Sequence, residues 1–174
     1  MPHNQNSPRE NVLTKRIAED IARAFMDVGY PGNDRIAYDQ TGNHLECCEV
    51  VKAFQGKRWR DIDINTLARE SSAIFFFTPA AFAYYLPAFL NAALLHHDSS
   101  DVVPSTIINC FVLPSHHIDR LAYSRRIATL SSRQLAVIRA VLLHLKTFYP
   151  DDNITGDIDR EVDQLDREQK QRNA

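Results

Sequence analysis

Two histidine pairs, His96-His97-Asp98 and His116-His117-x-Asp119, with Asp101 between them, are the residues of this chain best suited to hold a metal. Imidazole and carboxylate are the ligands that a Zn²⁺ or Fe²⁺ site uses, and such a site would make the chain a small metal-dependent hydrolase. Adjacent histidines on a helix point about 100° apart, so each pair offers one ligand. His97 and Asp101, at i and i+4, share a face only if a helix runs on past Leu95. No His-Glu-x-x-His or comparable fixed spacing is present. The competing reading is polar helix ends, in which His complements the helix dipole and Asp or Ser caps the next element. That reading is preferred, and no cofactor is expected; His97, Asp101, His116 and His117 form the metal set of the alternative.

His44 and Cys48 also stand at i and i+4, where an imidazole could lower a thiol pKa as a nucleophilic pair requires. No third group is evident to orient the imidazole, and a small buried cysteine beside a capping-turn histidine is the simpler account. Lys57, Arg58 and Arg60 surround Trp59, a pattern able to grip phosphate or stack on a base. Three bases in a near-neutral body leave too thin an electrostatic footprint for nucleic acid, so Trp59 reads as a core or rim anchor. Tyr84, Tyr85, Phe75 and Phe76 could line a groove, though such spacing more often marks core. A Gly-rich phosphate loop and a G-x-S-x-G elbow are both missing.

The elements that must position these residues are helical. Five glycines in 174 residues leave little for tight hairpins, and 44% hydrophobic with 24% charged residues is ordinary globular usage. Ser7-Pro8-Arg9-Glu10 has the form of a capping box before a helix bearing Leu13, Ile17, Ile21, Phe25 and Val28, with Gly29 and Pro31 as its stop. Asn43-x-x-Glu46 opens a second helix (Cys47, Val50, Val51, Phe54) that Gly56 ends. A short helix with Ile64, Leu67 and Ala68 follows from Asp61 or Asp63.

From Ala73 to Leu95 there is no charged residue for 23 positions. Thr78-Pro79 starts a helix inside this run, with Phe77 and Phe82 placed as a hydrophobic staple, and Pro87 either kinks it or marks where two helices meet. The break argues for a buried central helix over a membrane span. Residues 106–112 are β-branched enough for a short strand, or else form a buried helical turn. Ser131-x-x-Gln134 is a second capping box, with Leu130 and Leu135 as staple and Leu135, Ile138, Leu142, Leu145 and Tyr149 as the buried stripe.

Eight acids against four bases fall after Pro150, a segment charge of −4 that leaves the first 150 residues at +2. The expected organisation is a helical domain over 7–150 and an acidic tail over 151–174, disordered or a frayed helix that Ile158, Val162 and Leu165 could dock. Three cysteines without C-x-x-C spacing, and a start without an apolar stretch, read as reduced thiols in the cytoplasm.

Phe54-x-Gly56-Lys57-x-Trp59-x-x-Ile62, followed by Phe77-Thr78-Pro79-x-Ala81-Phe82-x-Tyr84-Tyr85-Leu86-Pro87-Ala88-Phe89-Leu90, resembles the signature of a bacterial domain family of unknown function. Tyr123-x-x-Arg126 and Leu130-Ser131-x-x-Gln134 fit the same pattern, Glu46-Cys47 more loosely. The resemblance runs from about Ile17 to Tyr149. It implies a bacterial origin and assigns no activity.

The fold expected is mainly α: an irregular or orthogonal bundle around a central apolar helix, with room for one short β segment. The function expected is a protein-interaction module of the immunity, inhibitor or regulator kind, acting on an unidentified protein partner. Lys57, Trp59, Tyr84, Tyr85 and Arg126 are its candidate binding residues, and the −4 segment is expected to steer a basic partner. No nucleic acid and no membrane enter this reading, and the oligomeric state is left open.

Overall fold

The uncharged run forms one short helical turn and then, from Pro79 to Leu95, the long helix around which the other helices are arranged. A computed structural model describes residues 8–96, 102–148 and 152–173. Along these residues run helices α1 (Pro8–Ala24), α2 (Leu45–Phe54), α3 (Ile64–Arg69), α4 (Ala73–Phe76), α5 (Pro79–Leu95), α6 (Val102–Phe111), α7 (His117–Ala128), α8 (Ser132–Leu145) and α9 (Asp152–Asn173). Helix α5 touches α1, α3, α4, α6, α7 and α8, and residues 81–90 are buried on every side. An element apolar all round can only be stable when others wrap it. No helix among the described residues is long and apolar enough to cross a membrane. Pro87 lies within the single helix α5 and does not divide it.

Hydrogen bonds at the ends of α5 and its neighbours fix how they meet. Thr78 caps α5 by accepting from the Ala81 amide at 3.1 Å, and its hydroxyl donates to the Arg35 carbonyl at 2.6 Å. The Thr78 amide donates to the Ile36 carbonyl and the Tyr38 amide to the Phe76 carbonyl, so residues 36–38 lie antiparallel to 76–78. Among the described residues this isolated bridge, Ala37 to Phe77, is the β pairing present. Residues 106–112, readable as strand or helical turn, instead belong to or directly follow helix α6. The α2 N-cap is His44, one residue later than the Asn43 expected from sequence.

The C-terminus of α2 is closed by tyrosines. Tyr85 donates its buried hydroxyl to the Phe54 carbonyl at 2.6 Å and also approaches that of Lys57 at 3.3 Å. Gly56 turns with a φ of +69°, where a side chain would be strained, and its amide donates to the Tyr30 hydroxyl and Asn33 Oδ1. Above this closure Phe54, Phe77, Tyr85 and Phe89 pack as one aromatic cluster, with centroids 5.0 to 6.2 Å apart.

The expected capping box at Ser131 is present, and it does more than cap α8. Gln134 accepts from the Ser131 amide at 2.8 Å while its Nε2 donates to the Ala24 carbonyl at the end of α1. The buried line of α1 passes through Thr14, Ile17, Ile21 and Phe25; Leu13 is exposed, and Thr14 instead meets His144 of α8 at 3.0 Å. The Ser7 cap and Tyr149 fall outside the described residues.

Of the two readings of the acidic segment, disordered or a frayed helix that Ile158, Val162 and Leu165 could dock, the structure has the helix. Residues 152–173 are the continuous helix α9, packed on α8 and α6, with Ile158, Val162 and Leu165 buried. Two of its acids are neutralised across the seam: Asp159 by Lys146 at 2.7 Å and Asp166 by Arg139 at 3.0 Å. Fully burying each apolar side chain is worth about 1.5–3 kcal/mol, enough to order a helix whose outer faces are polar.

Two stability outcomes follow. Tyr85→Phe removes one of two donors to the buried Phe54 carbonyl, which keeps the Lys57 amide, and should cost about 0.5–1.5 kcal/mol in denaturant unfolding. Leu165→Ala should cost about 2–5 kcal/mol; a change under half a kilocalorie would return α9 to the status of an appendage.

Candidate functional site

Helix α7 leaves more apolar surface unused than its neighbours do. It binds the bundle through Tyr123 and Ile127, both buried, while Ile118 is 80% exposed and Leu121 48%. Ile118, Leu121, Ala122 and Arg125 fall at i, i+3, i+4 and i+7, the spacing of one helix face. That spacing is visible in the sequence, but only the packing reveals that no helix among the described residues covers this face.

Beside it opens a cleft of about 700 Å³. One wall is Ile118, Asp119, Ala122, Arg125 and Arg126 of α7; the opposite wall is Tyr38 with Phe75, Phe76 and Phe77. Asn109, Cys110 and Val112 from the end of α6 close the back, and Pro79 contributes at the start of α5. The lining is therefore aromatic and aliphatic, with two adjacent guanidinium groups and one carboxylate at its rim. Arg126 stands 5.7 Å from the Phe82 ring centroid, which holds its guanidinium over an apolar base. Arg120 donates to the Pro114 carbonyl at 2.6 Å and so fixes the turn that leads into α7.

Tyr38 is the polar feature of the aromatic wall. Its hydroxyl lies 2.9 Å from His44 Nε2, and both rings rest against Phe76. His44 Nδ1 is 3.2 Å from Glu46 Oε2, off the line of a hydrogen bond. Desolvation, then the Cys47 thiol and the Asp39 and Glu46 carboxylates, push the Tyr38 phenol above its ordinary value. It stays neutral at the cleft mouth. His44 thus turns to Tyr38, not to the Cys48 thiol that the sequence spacing offered it.

The residues singled out from sequence do not share one surface. Trp59 is 6% exposed and carries the Arg60 guanidinium 4.2 Å above its ring, so that face is not open to a base. Tyr84 and Tyr85 are buried, Tyr84 against Tyr30 and Tyr85 against the end of α2. Lys57 is exposed at the turn whose carbonyl Tyr85 approaches. Arg126 alone of the five lines the cleft. His96 follows α5, His116 caps α7 and His117 begins it, all exposed. His97, Asp98 and Asp101 lie outside the described residues, and among those described no three His, Cys, Asp or Glu side chains come together as a metal site.

Sequence reasoning missed Tyr38, Ile118 and Arg125. Tyr38 sits in a polar connector with no periodicity, and nothing local marks it as a wall of anything.

The chain belongs to DUF6714, a family of unknown function, whose pattern matches residues 14–167. That match continues past Tyr149 into α9, beyond the reach of the sequence resemblance. No curated protein and no solved structure matches the chain.

The thiols offer a check on the cleft's back wall. Cys47 and Cys110 are buried and Cys48 is half-buried, and burial pushes the Cys110 thiol up to about 12. In mildly alkaline buffer one thiol should react readily with a disulfide reagent in the native protein and all three after unfolding. Rapid reaction of Cys110 in the native state would mean that α6 and α7 part.

Proposed function

We propose that this protein is an interaction module of the inhibitor or regulator kind, which receives a segment of a partner protein in the cleft beside α7. One observation carries the reading: a helix face with Ile118 80% exposed borders an aromatic-lined cleft rimmed by Arg125 and Arg126. Exposed apolar surface gathered at a concavity is where proteins meet partners, and aromatic and arginine side chains supply most of the energy there.

The occupant is an acidic segment with apolar anchors. Two guanidinium groups against the single Asp119 carboxylate favour acids in the partner. Lys146 and Arg139 offset two of the eight acids of the segment expected to steer a basic partner, Asp159 and Asp166. Tyr38, neutral and fixed by His44, adds one directed hydrogen-bonding group.

A phage-displayed random peptide library, selected on the wild-type protein, tests this. Peptides carrying an aromatic or aliphatic anchor and acidic side chains should be enriched. Ile118→Asp, at a position too exposed to disturb folding, should weaken them by about 2 kcal/mol, roughly thirtyfold in Kd. Arg125→Glu with Arg126→Glu should slow association most at low salt. Enrichment indifferent to these substitutions would overturn the reading. So would self-association abolished by Ile118→Asp, which would make a second copy the occupant.

A further inference from the structure

Helix α9 holds to the bundle through Ile158, Glu161, Val162 and Leu165, at i, i+3, i+4 and i+7, and all four are buried. Three are apolar; the fourth is a carboxylic acid, 4% exposed. Its Oε2 is shut off from solvent without a hydrogen-bond partner. The Tyr123 hydroxyl of α7, on which Glu161 acts electrostatically, is likewise buried and unpartnered.

The charged and titratable surroundings do not neutralise it. On α9 itself Arg160 and Arg167 favour the ionised form, but less than burial opposes it, and Arg167 is forked onto the Gln164 side chain. Glu168 of α9, Cys110 of α6 and Arg126 of α7 act on the Tyr123 hydroxyl beside it. From α8 the facing cations, Arg139 and Lys146, are taken by Asp166 and Asp159 at the flanks. An acid on the apolar line of a helix seam, with no committed cation, disfavours its own ionisation.

We propose that α9 is an acid-tightened strap, held most firmly when the Glu161 carboxyl carries its proton and loosened when that proton leaves. The direction follows from linkage. Burial pushes the carboxyl from 4.5 up to about 7 in the folded state. Between those limits the docked helix keeps a proton that the undocked helix has lost, so rising pH favours undocking throughout the window and the effect levels off above about 7. Loosening uncovers the end of α6, where Val112 and Leu113 line a recess of about 340 Å³ with Arg160, Glu161 and Arg167. Val112 also walls the cleft, but the strap stands whether or not the cleft receives a partner.

Hydrogen exchange of the full-length protein, corrected for the intrinsic pH dependence of exchange, reads the strap directly. The opening equilibrium of α9 amides should rise by up to tenfold per pH unit across the window and then plateau, while α5 stays protected. Glu161→Gln keeps the shape and cannot ionise; it should abolish the pH dependence, matching wild type in acid and exceeding its melting temperature at and above neutrality. Wild-type α9 exchange that does not change with pH would overturn the proposal, and needs no variant to show it. A Glu161→Gln protein less stable than wild type at every pH would overturn it too, since the ionised carboxylate would then be holding the seam.

Discussion

The Thr78 hydroxyl is the contact on which the arrangement of this molecule turns. It accepts from Ala81 and so opens α5, and it donates to Arg35 across 43 positions of chain. With the Thr78 and Tyr38 amides bonded to Ile36 and Phe76, one residue joins the central helix to a connector whose own helical order is the single 3-10 turn Asn33–Arg35. Removing the hydroxyl would strip α5 of its cap and leave a carbonyl unmatched at the same point. The cleft depends on it as well, since Tyr38 is a wall only because residues 36–38 are laid against 76–78.

Much of this was legible, because short-range chemistry leaves short-range marks. Thr78-Pro79 and Ser131-x-x-Gln134 are capping signals whose partners lie three residues away, and both close as read. The uncharged run gave the central helix for the same reason: nothing with apolar residues all round can sit at a surface in water. What was not legible needed partners far along the chain. Nothing near Gln134 says that its amide will meet Ala24, and nothing near Thr14 says that it, and not Leu13, will face His144.

The acidic segment shows how composition can mislead where periodicity would not. Eight acids and four bases suggest a solvated arm, yet Ile158, Val162 and Leu165 recur at helical spacing and are all buried. Net charge is a sum over faces, whereas docking depends on one face alone. The acids flanking that face meet Lys146 and Arg139. Exposed pairs of this kind are worth at most about 1 kcal/mol each, so the apolar line carries the docking and the ion pairs set its register.

The candidate site follows from the same division between residues that the fold uses and residues that it does not. Of the residues that carry the sequence resemblance, Phe54, Gly56, Phe77, Tyr85 and Phe89 close α2 against α5, and Thr78 caps α5 and ties it to Arg35. Most of them serve the scaffold; Phe77 and Arg126, which belong to the same pattern, also line the cleft. Fold does not dictate function, which rests on the side chains that packing leaves over. On α7, Tyr123 and Ile127 are enough to hold the helix to α5, and neither reaches the opposite face. Ile118 therefore gains little and Leu121 about half of its burial from the folded monomer, and the apolar surface that remains is what the proposed partner segment would cover.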